Sequence, residues 1–320
     1  MDGTDTTPDP RLASRRTVLA VPGSSARMLA KARECGADEV FCDLEDAVTP
    51  SEKVEARATV VAALNAGGWR PGRRSVRVNA WSTPWTHEDL IAVVTGAGAH
   101  LDSVIVPKVR GAADVTATAL LLDQLEVRCG LPRGCISVQA QIEDALALTR
   151  VTEIATASPR LEALVVGPGD MAADLGMRTL TTGEQPVGYT LGDAHHHVMM
   201  TVLVAARAHG LAAVDGPYLA LDNPDGLRRI ASASAAVGYD GKWVIHPGQI
   251  DTVNEVFTPP DSAVEAAREL LGAHAAAADG ARGAARHAGE MIDEASAAMA
   301  RSVLARARAA GTDRGHRTFS

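Results

Sequence analysis

The sequence predicts a closed (β/α)8 barrel with an appended helical segment, on three observations. Eight short β-rich runs are each followed by a helical stretch, the count a closed barrel needs over roughly 250 residues. The runs are continuously apolar, as strands of a parallel sheet covered on its outer face must be. Most of them end in a polar or charged residue, at the end where a barrel of this kind carries its chemistry.

The elements follow in order. After a polar leader, residues 1–14, "TVLAVPG" is an apolar run closed by Pro22-Gly23, and "SARMLAKARECG" has helical spacing and a terminal Gly. "EVFCDLED" leads to "SEKVEARATVVAALNAGG", "SVRVN" to "TPWTHEDLIAVVTGAG", and "SVIVPKV" to "AADVTATALLLDQLEVRCG". "ISVQAQIE" leads to "DALALTRVTEIATA", and "LEALVVGPGD" to a polar excursion over 174–193 and the helix "HHHVMMTVLVAARAHG". "LAAVDGPY" then precedes "DGLRRIASASAAVG", and "KWVIHP" precedes "GQIDTVNEVF". The barrel is expected over 15–258. Residues 259–310 are Ala-rich and helical, interrupted by a Gly-containing loop near 280–290, and 311–320 read as a disordered tail. The runner-up, a doubly wound open sheet, would normally open on a Gly-rich dinucleotide loop; "VPGSSARM" is not one.

Composition narrows the function. A net charge of -8 argues against a phosphate-backbone partner, and 3% aromatics leave little for stacking on bases. No apolar run reaches the ~18 residues of a membrane span, and the first residues hold no apolar signal core. Cys35, Cys42, Cys129 and Cys135 form no C-x-x-C pair and read as reduced, buried thiols of a cytoplasmic protein.

The strand ends are Glu45 and Asp46; Arg77 and Asn79; Lys108; Glu143; Gly169 and Asp170; Asp215; and His246. The acids of "DLED" thus fall where the core stops and a polar funnel begins, with neighbouring cations to offset them. Asp43 has the alternative reading of a structural partner to a cation, and Asp46 that of a turn cap. Glu143 and Asp170 end adjacent strands and suit a hard octahedral cation such as Mg²⁺, with Mn²⁺ as a substitute. Arg77 and Lys108 supply positive charge for a developing oxyanion. Lys108 as a Schiff-base amine is disfavoured by the carboxylates around it. Consecutive helical positions diverge by about 100°, so His195, His196 and His197 cannot share one ion and read as a solvated helix start. Met199, Met200 and Trp243 read as packing residues.

The ordered motifs "RTVLAVPGS", "DLEDAVTPSEKVEAR", "VRVNAWSTPW", "VIVPKV", "GPGDMAADLGM", "VDGPY", "GYDGKWVIHPGQIDTVNEVFTPP" and "GEMIDEAS" carry a resemblance. From about Arg16 to Ala300 the chain resembles the citrate lyase β-subunit-like (HpcH/HpaI aldolase) family, most closely its malyl-CoA lyase branch. The resemblance implies a Mg²⁺-dependent lyase that breaks or forms a carbon–carbon bond in a 3-hydroxyacyl-CoA thioester, with an acyl-CoA and a 2-oxo acid as partners. It implies metal ligands Glu143 and Asp170, and Arg77 at the reacting thioester. CoA contacts fall at Lys31, Ile245 and His246, with Arg27 standing in for an Arg that the branch carries where this chain has Ser25. It also implies Asp293 as the proton-exchanging acid, on a C-terminal lid shared between subunits of a homotrimer or homohexamer. A malyl-CoA thioesterase, and a citrate-lyase-like subunit working beside an acyl carrier, are the alternatives on the same scaffold. A non-catalytic binding protein is disfavoured by the carboxylates and Arg77 together.

Overall fold

The computed structural model describes residues 15–279, 285–287 and 290–312. The expected leader over 1–14 and the tail from 313 lie outside the described residues. Eight parallel strands close in sequence order into one barrel. They are β1 (Thr17–Pro22), β2 (Glu39–Asp43), β3 (Arg73–Arg77), β4 (Ser103–Val106), β5 (Ser137–Ile142), β6 (Leu161–Val166), β7 (Ala212–Asp215) and β8 (Gly241–Val244). Around them run α1 (Ala26–Ala32), α2 (Lys53–Asn65), α3 (Thr86–Ala97), α4 (Ala112–Cys129), α5 (Ala145–Thr149), α6 (Val151–Ala155), α7 (Pro168–Asp174), α8 (His196–Ala208), α9 (Pro224–Val237) and α10 (Ile250–Phe257).

Local chemistry sets the helix ends. In α9 the Gly226 N–H donates to the Asn223 side chain at 2.9 Å, Pro224 occupies the first turn, and Gly238 closes the helix. Strand alternation sorts the side chains into two cores. Val40, Cys42, Leu44, Val76 and Val244 face outward and pack under the helices. Phe41, Ile105, Val165, Val214 and Trp243 fill the barrel interior.

Below that interior layer the barrel is closed by paired charge. Arg15 donates to Glu39 at 2.9 Å and to Glu162 at 2.7 Å, Arg73 donates to Glu162 at 2.6 Å, and Gln139 donates to Glu39 at 2.7 Å. The barrel is therefore a filled core, closed at this end by ion pairs, and the C-terminal ends of its strands form the opposite mouth, where the fold class leads one to expect the chemistry.

The C-terminal segment holds α11 (Asp261–Asp279), β9 (Ala285–His287), β10 (Glu290–Ile292) and α12 (Glu294–Ala309). Val264, Ala267, Ala300, Leu304 and Ala307 join α11 to α12. Where the sequence reads a loop, β9 and β10 pair as an antiparallel ladder. Gly311, read as the start of a disordered tail, is instead the left-handed cap of α12 (φ 72°), and the Thr312 N–H donates back to the Ala307 carbonyl at 2.9 Å. Among the cysteines only Cys42 is buried; Cys129 and Cys135 are exposed, against expectation. No helix among the described residues is long and apolar enough to cross a membrane.

Candidate active site

The mouth is built on β2 and β3, because inward residues alternate and the last inward pair is Asp43 and Arg77. Arg77 Nε donates to one Asp43 oxygen at 2.8 Å and Nη2 to the other at 2.7 Å. Its Nη1 stands 2.9 Å from Glu45. Below it lie two aromatic faces, Phe41 at 5.7 Å and Trp243 at 5.5 Å. Trp243 is thus more than packing. Burial works against the Arg77 charge, but Asp43, Glu45 and Asp46 more than offset it and hold its pKa above the ordinary value. The guanidinium has five N–H groups; Asp43 fixes two, leaving others to face a substrate. Asp43 is the structural partner that its alternative reading described.

Glu45 is buried between Arg77 and the Lys108 ammonium, with which it is hydrogen bonded, whereas the Asp46 side chain is 61% exposed and lies 3.5 Å from Lys108. Lys108 is the one non-glycine among the described residues with positive φ, at 49°. That backbone strain of about 1–3 kcal/mol is held in place by both ends of the residue. Its N–H donates to Glu143 at 2.5 Å, and its ammonium binds Glu45. Burial opposes the ammonium, yet Glu45, Asp46 and Glu143 raise its pKa, so it stays protonated and cannot serve as a Schiff-base amine.

Glu143 is buried. Its second oxygen accepts from Gln141 at 2.6 Å. Burial pushes its carboxyl up to about 8, and the negative charges of Glu45 and Asp170 add to the shift. Gly167 has to be glycine here, since a Cβ would sit 2.4 Å from the Glu143 Cβ. Asp170 is exposed and lies in the first turn of α7 instead of at the end of β6. A cavity of about 570 Å³ opens above these groups, lined by Lys108, Glu143 and Asp170 together with Trp81, Arg110 and Asp144.

Three sequence-derived strand-end residues are not in this cluster. Asn79 turns toward α3, where its side-chain amide donates to Asp89 at 2.6 Å. Asp215 faces outward and pairs with Lys242 at 2.6 Å. His246 is exposed, and its Nδ1 accepts from the Gly248 N–H at 3.1 Å. Ile245 and His246 follow β8, and Arg27 and Lys31 are exposed on α1, which follows β1; β1 and β8 are paired neighbours, so these four residues share one side of the mouth. Gly169 is half-buried against Thr182. Asp293 is the exposed N-cap of α12, accepting from the Ser296 N–H at 2.8 Å and its hydroxyl at 2.9 Å. Those bonds hold its carboxyl below the usual range.

Sequence reasoning missed Lys53. Its buried ammonium donates to the Leu44 and Glu45 carbonyls, each at 2.9 Å, and sits 5.1 Å over the Trp85 ring. Lys53 therefore fixes the turn that presents Glu45, and the lysine within "DLEDAVTPSEK" was the available signal. Lys53→Met leaves both carbonyls unpartnered. We expect a fall of about tenfold in kcat, the equivalent of one lost hydrogen bond of ~1.4 kcal/mol, with little change in KM. An unchanged kcat in steady-state kinetics would show that the turn holds its shape alone.

The sequence model of the HpcH/HpaI aldolase/citrate lyase family matches residues 16–247. The chain is 37% identical over 308 residues to an L-malyl-CoA/β-methylmalyl-CoA lyase of Cereibacter sphaeroides, covering 94% of this chain and 96% of that protein. It is 36% identical over 294 residues to a (3S)-malyl-CoA thioesterase of the same organism, covering 92% and 95%. Among solved structures, the protein CitE of Mycobacterium tuberculosis in complex with magnesium, acetoacetate and coenzyme A superimposes with a TM-score of 0.73 at 31% identity, covering 93% of this chain and 99% of that one.

Proposed function

The chain belongs to the HpcH/HpaI aldolase/citrate lyase family, and on that premise we propose that it is a Mg²⁺-dependent carbon–carbon lyase of 3-hydroxyacyl-CoA thioesters. The substrate class is malyl-CoA or its β-methylmalyl and citramalyl relatives, giving glyoxylate or pyruvate plus an acyl-CoA. One observation carries the reading: Arg77, locked by Asp43, is linked through Glu45 and Lys108 to the buried Glu143 carboxyl, which lines one cavity with Asp170.

The donor set fits the cation. Among the described residues no three or more His, Cys, Asp and Glu gather as a metal cluster, but Mg²⁺ usually takes one or two carboxylates and fills the rest with water and substrate. Glu143 is raised to about 8 in part by the like charge of Asp170, a repulsion that a dication between them would relieve. Bound there by Glu143 and Asp170, Mg²⁺ would act as a Lewis acid toward a 2-oxo acid's oxygens. Mn²⁺ has the same ligand preference.

The chain's own residues do the rest. In cleavage the 3-hydroxyl gives its proton to Glu45 or Asp46 as the C2–C3 bond breaks. The remaining Arg77 N–H groups donate to the thioester enolate oxygen. Asp293 protonates the enolate carbon, and in synthesis removes that proton. To do so it must leave its cap on Ser296. Arg27, Lys31, Ile245 and His246 receive CoA at the β1/β8 side.

The Glu143 shift gives a pH prediction. Its folded pKa of about 8 lies above the ordinary carboxylate value of 4.5, so without a cation the fold is favoured below pH 4.5 and loses this contribution as pH rises through 8. A cation competes with that proton. Mg²⁺ affinity should therefore rise by up to about tenfold per pH unit below 8 and level off above it, with proton release on binding at neutral pH. Calorimetry in buffers of differing ionisation enthalpy measures this. Binding that is flat from pH 6 to pH 8 would mean that Glu143 is not a ligand.

The reading includes an architecture in which the barrel (15–258) and the helical extension (259–310) act across subunits of a homotrimer or homohexamer. Support comes from α12: Arg306, near its end, donates to the Gly238 carbonyl at 2.9 Å, at the foot of its own barrel, while Asp293 caps the other end. A helix of that length spans about 24 Å. Mixing inactive Asp293→Asn chains with inactive Glu143→Gln chains should restore part of the activity, because an acid from one chain meets a complete mouth on another. Demonstrated subunit exchange without recovery would place the acid in cis. A cytoplasmic location also belongs to this reading, since exposed thiols such as Cys129 and Cys135 stay reduced there.

The second reading, thioester hydrolysis, is favoured by the likeness to the thioesterase. Incubating the protein with malyl-CoA and Mg²⁺ and identifying products by mass spectrometry tests both. Glyoxylate with acetyl-CoA means lyase; free malate with CoA means hydrolase.

A further inference from the structure

Side chains along β5 alternate between its two faces. Val138, Ala140 and Ile142 belong to the outer core, so Gln139 and Gln141 point into the barrel. Gln139 joins the ion-pair layer that closes the lower end. Gln141 lies one inward step higher and is buried, and the next inward residue is Glu143. Nothing about folding calls for an amide at that level. Val165, its register partner on β6, is apolar and fills the barrel interior. The Gln141 nitrogen donates to Glu143 at 2.6 Å, while its oxygen has no partner among the described residues. A buried polar atom without a partner costs stability, and an apolar residue of the same shape would avoid that cost. The amide therefore serves the carboxyl above it more than it serves the fold.

Glu143 is gripped at both oxygens. The Lys108 backbone N–H donates to one at 2.5 Å and Gln141 to the other at 2.6 Å. Lys108 supplies that N–H from its left-handed backbone, with its ammonium tied to Glu45. Gly167 closes a further side, since a Cβ there would lie 2.7 Å from the second Glu143 oxygen and 3.0 Å from the Gln141 nitrogen. The carboxyl group has little room to turn. With a cation bound it is ionised and can only accept, so Gln141 has to present its nitrogen.

We propose that Gln141 is a positioning residue for the metal: together with the Lys108 N–H it fixes the plane of the Glu143 carboxylate, and that fixed plane selects a small octahedral cation over a larger one. Mg²⁺ demands near-ideal octahedral geometry, whereas Ca²⁺ takes more oxygens in flexible arrangements. A carboxylate that cannot swing suits the first ion. One that turns freely can follow the second. The inference rests on the reading of Glu143 and Asp170 as Mg²⁺ ligands, and adds what makes the site prefer that ion.

Calorimetry of Mg²⁺ and of Ca²⁺ binding to the full chain tests it, at about pH 9, where the Glu143 proton no longer competes. Gln141→Met keeps the length of the side chain and removes its N–H. It should weaken Mg²⁺ binding by about 10- to 100-fold, the usual effect of losing a hydrogen bond to a metal ligand. Ca²⁺ binding should weaken far less, so the preference between the two ions falls. A residue that merely filled space would leave that ratio alone. Melting curves in a chelator check folding, and Gln141→Leu, which also lacks the donor, is the second variant; failure of both to fold would make Gln141 structural and overturn the proposal. Glu143→Gln is the control for the site itself. If the native chain binds no Mg²⁺, or Glu143→Gln binds it as tightly, the metal reading falls and this inference falls with it. If Glu143→Gln loses Mg²⁺ while Gln141→Met binds it as the native chain does, the metal reading stands and this inference alone is overturned. An equal loss for both ions also overturns it, because Gln141 would then support the carboxylate without choosing the ion.

Discussion

Glu143→Gln is expected to lower Mg²⁺-dependent turnover by about 10³-fold or more, the several kcal/mol that a Lewis-acid metal contributes, while the barrel stays folded. The substitution keeps the shape of the side chain. Its amide oxygen can still accept from the Lys108 N–H, and its amide nitrogen can donate to the Gln141 oxygen, which lacks a partner in the native chain. What it removes is a buried carboxyl that burial, Glu45 and Asp170 all push toward its neutral form. Thermal stability in a chelator should accordingly be maintained or raised. Asp170→Ala should cost comparable activity, because it removes the second carboxylate from an exposed position outside the core. The measurements are steady-state rates over a range of Mg²⁺ and a melting curve in chelator. Near-native activity of Asp170→Ala in a chelator would refute the metal assignment, whereas loss of folding in Glu143→Gln would recast Glu143 as structural.

Arg77→Lys is expected to lower kcat on the order of 10²-fold, the effect of losing one oxyanion donor, although the charge is conserved. Lysine lacks the planar fork that binds both oxygens of Asp43, at 2.8 and 2.7 Å, and offers no flat face to Phe41 and Trp243. A compact ammonium can serve Asp43 or Glu45, or turn to substrate, but cannot do all three. Because Asp43 and Glu45 are buried, part of the loss should also appear as about 1–3 kcal/mol of stability. Comparing kcat with a denaturation curve separates the two effects. If stability falls while kcat is unchanged, Arg77 only ties β2 to β3, and the enolate oxygen is stabilised elsewhere.

The candidate site was legible where chemistry interrupts an apolar run. Lys108 follows a run, "SVIVP", too apolar to lie anywhere but in the core, so a charged residue at its end has to mark the place where the core stops; Arg77 and Glu143 close more mixed runs, "RRSV" and "SVQAQI", and were placed by their position before the next helix. Asp215 looked the same and was not. Its strand places Val214 inward, so Asp215 points outward and meets Lys242, one strand over. Alternation decides this by a single residue, and a strand of four residues carries too little pattern to set its phase. Asn79 failed for a related reason: β3 stops at Arg77, and the free chain beyond it bends toward Asp89 on α3. Lys53 was passed over because a lysine in a helix reads as solvated, and only the fold brings its ammonium back over the turn nine residues earlier.

The sequence by itself determined the barrel, its eight strands in order, the helical extension and the stretch of mouth from Glu45 to Glu143. These depend on local hydrophobic period and on runs of apolar length, which survive in any window of the chain. Tertiary structure alone decided which strand-end groups meet. It set Asp43 against Arg77, held Lys108 in a left-handed backbone between Glu45 and Glu143, moved Asp170 onto α7, and buried His195 while leaving His196 and His197 in water. Each of these depends on barrel closure, which brings β2, β3, β4 and β5 side by side and fixes which face of each residue looks inward.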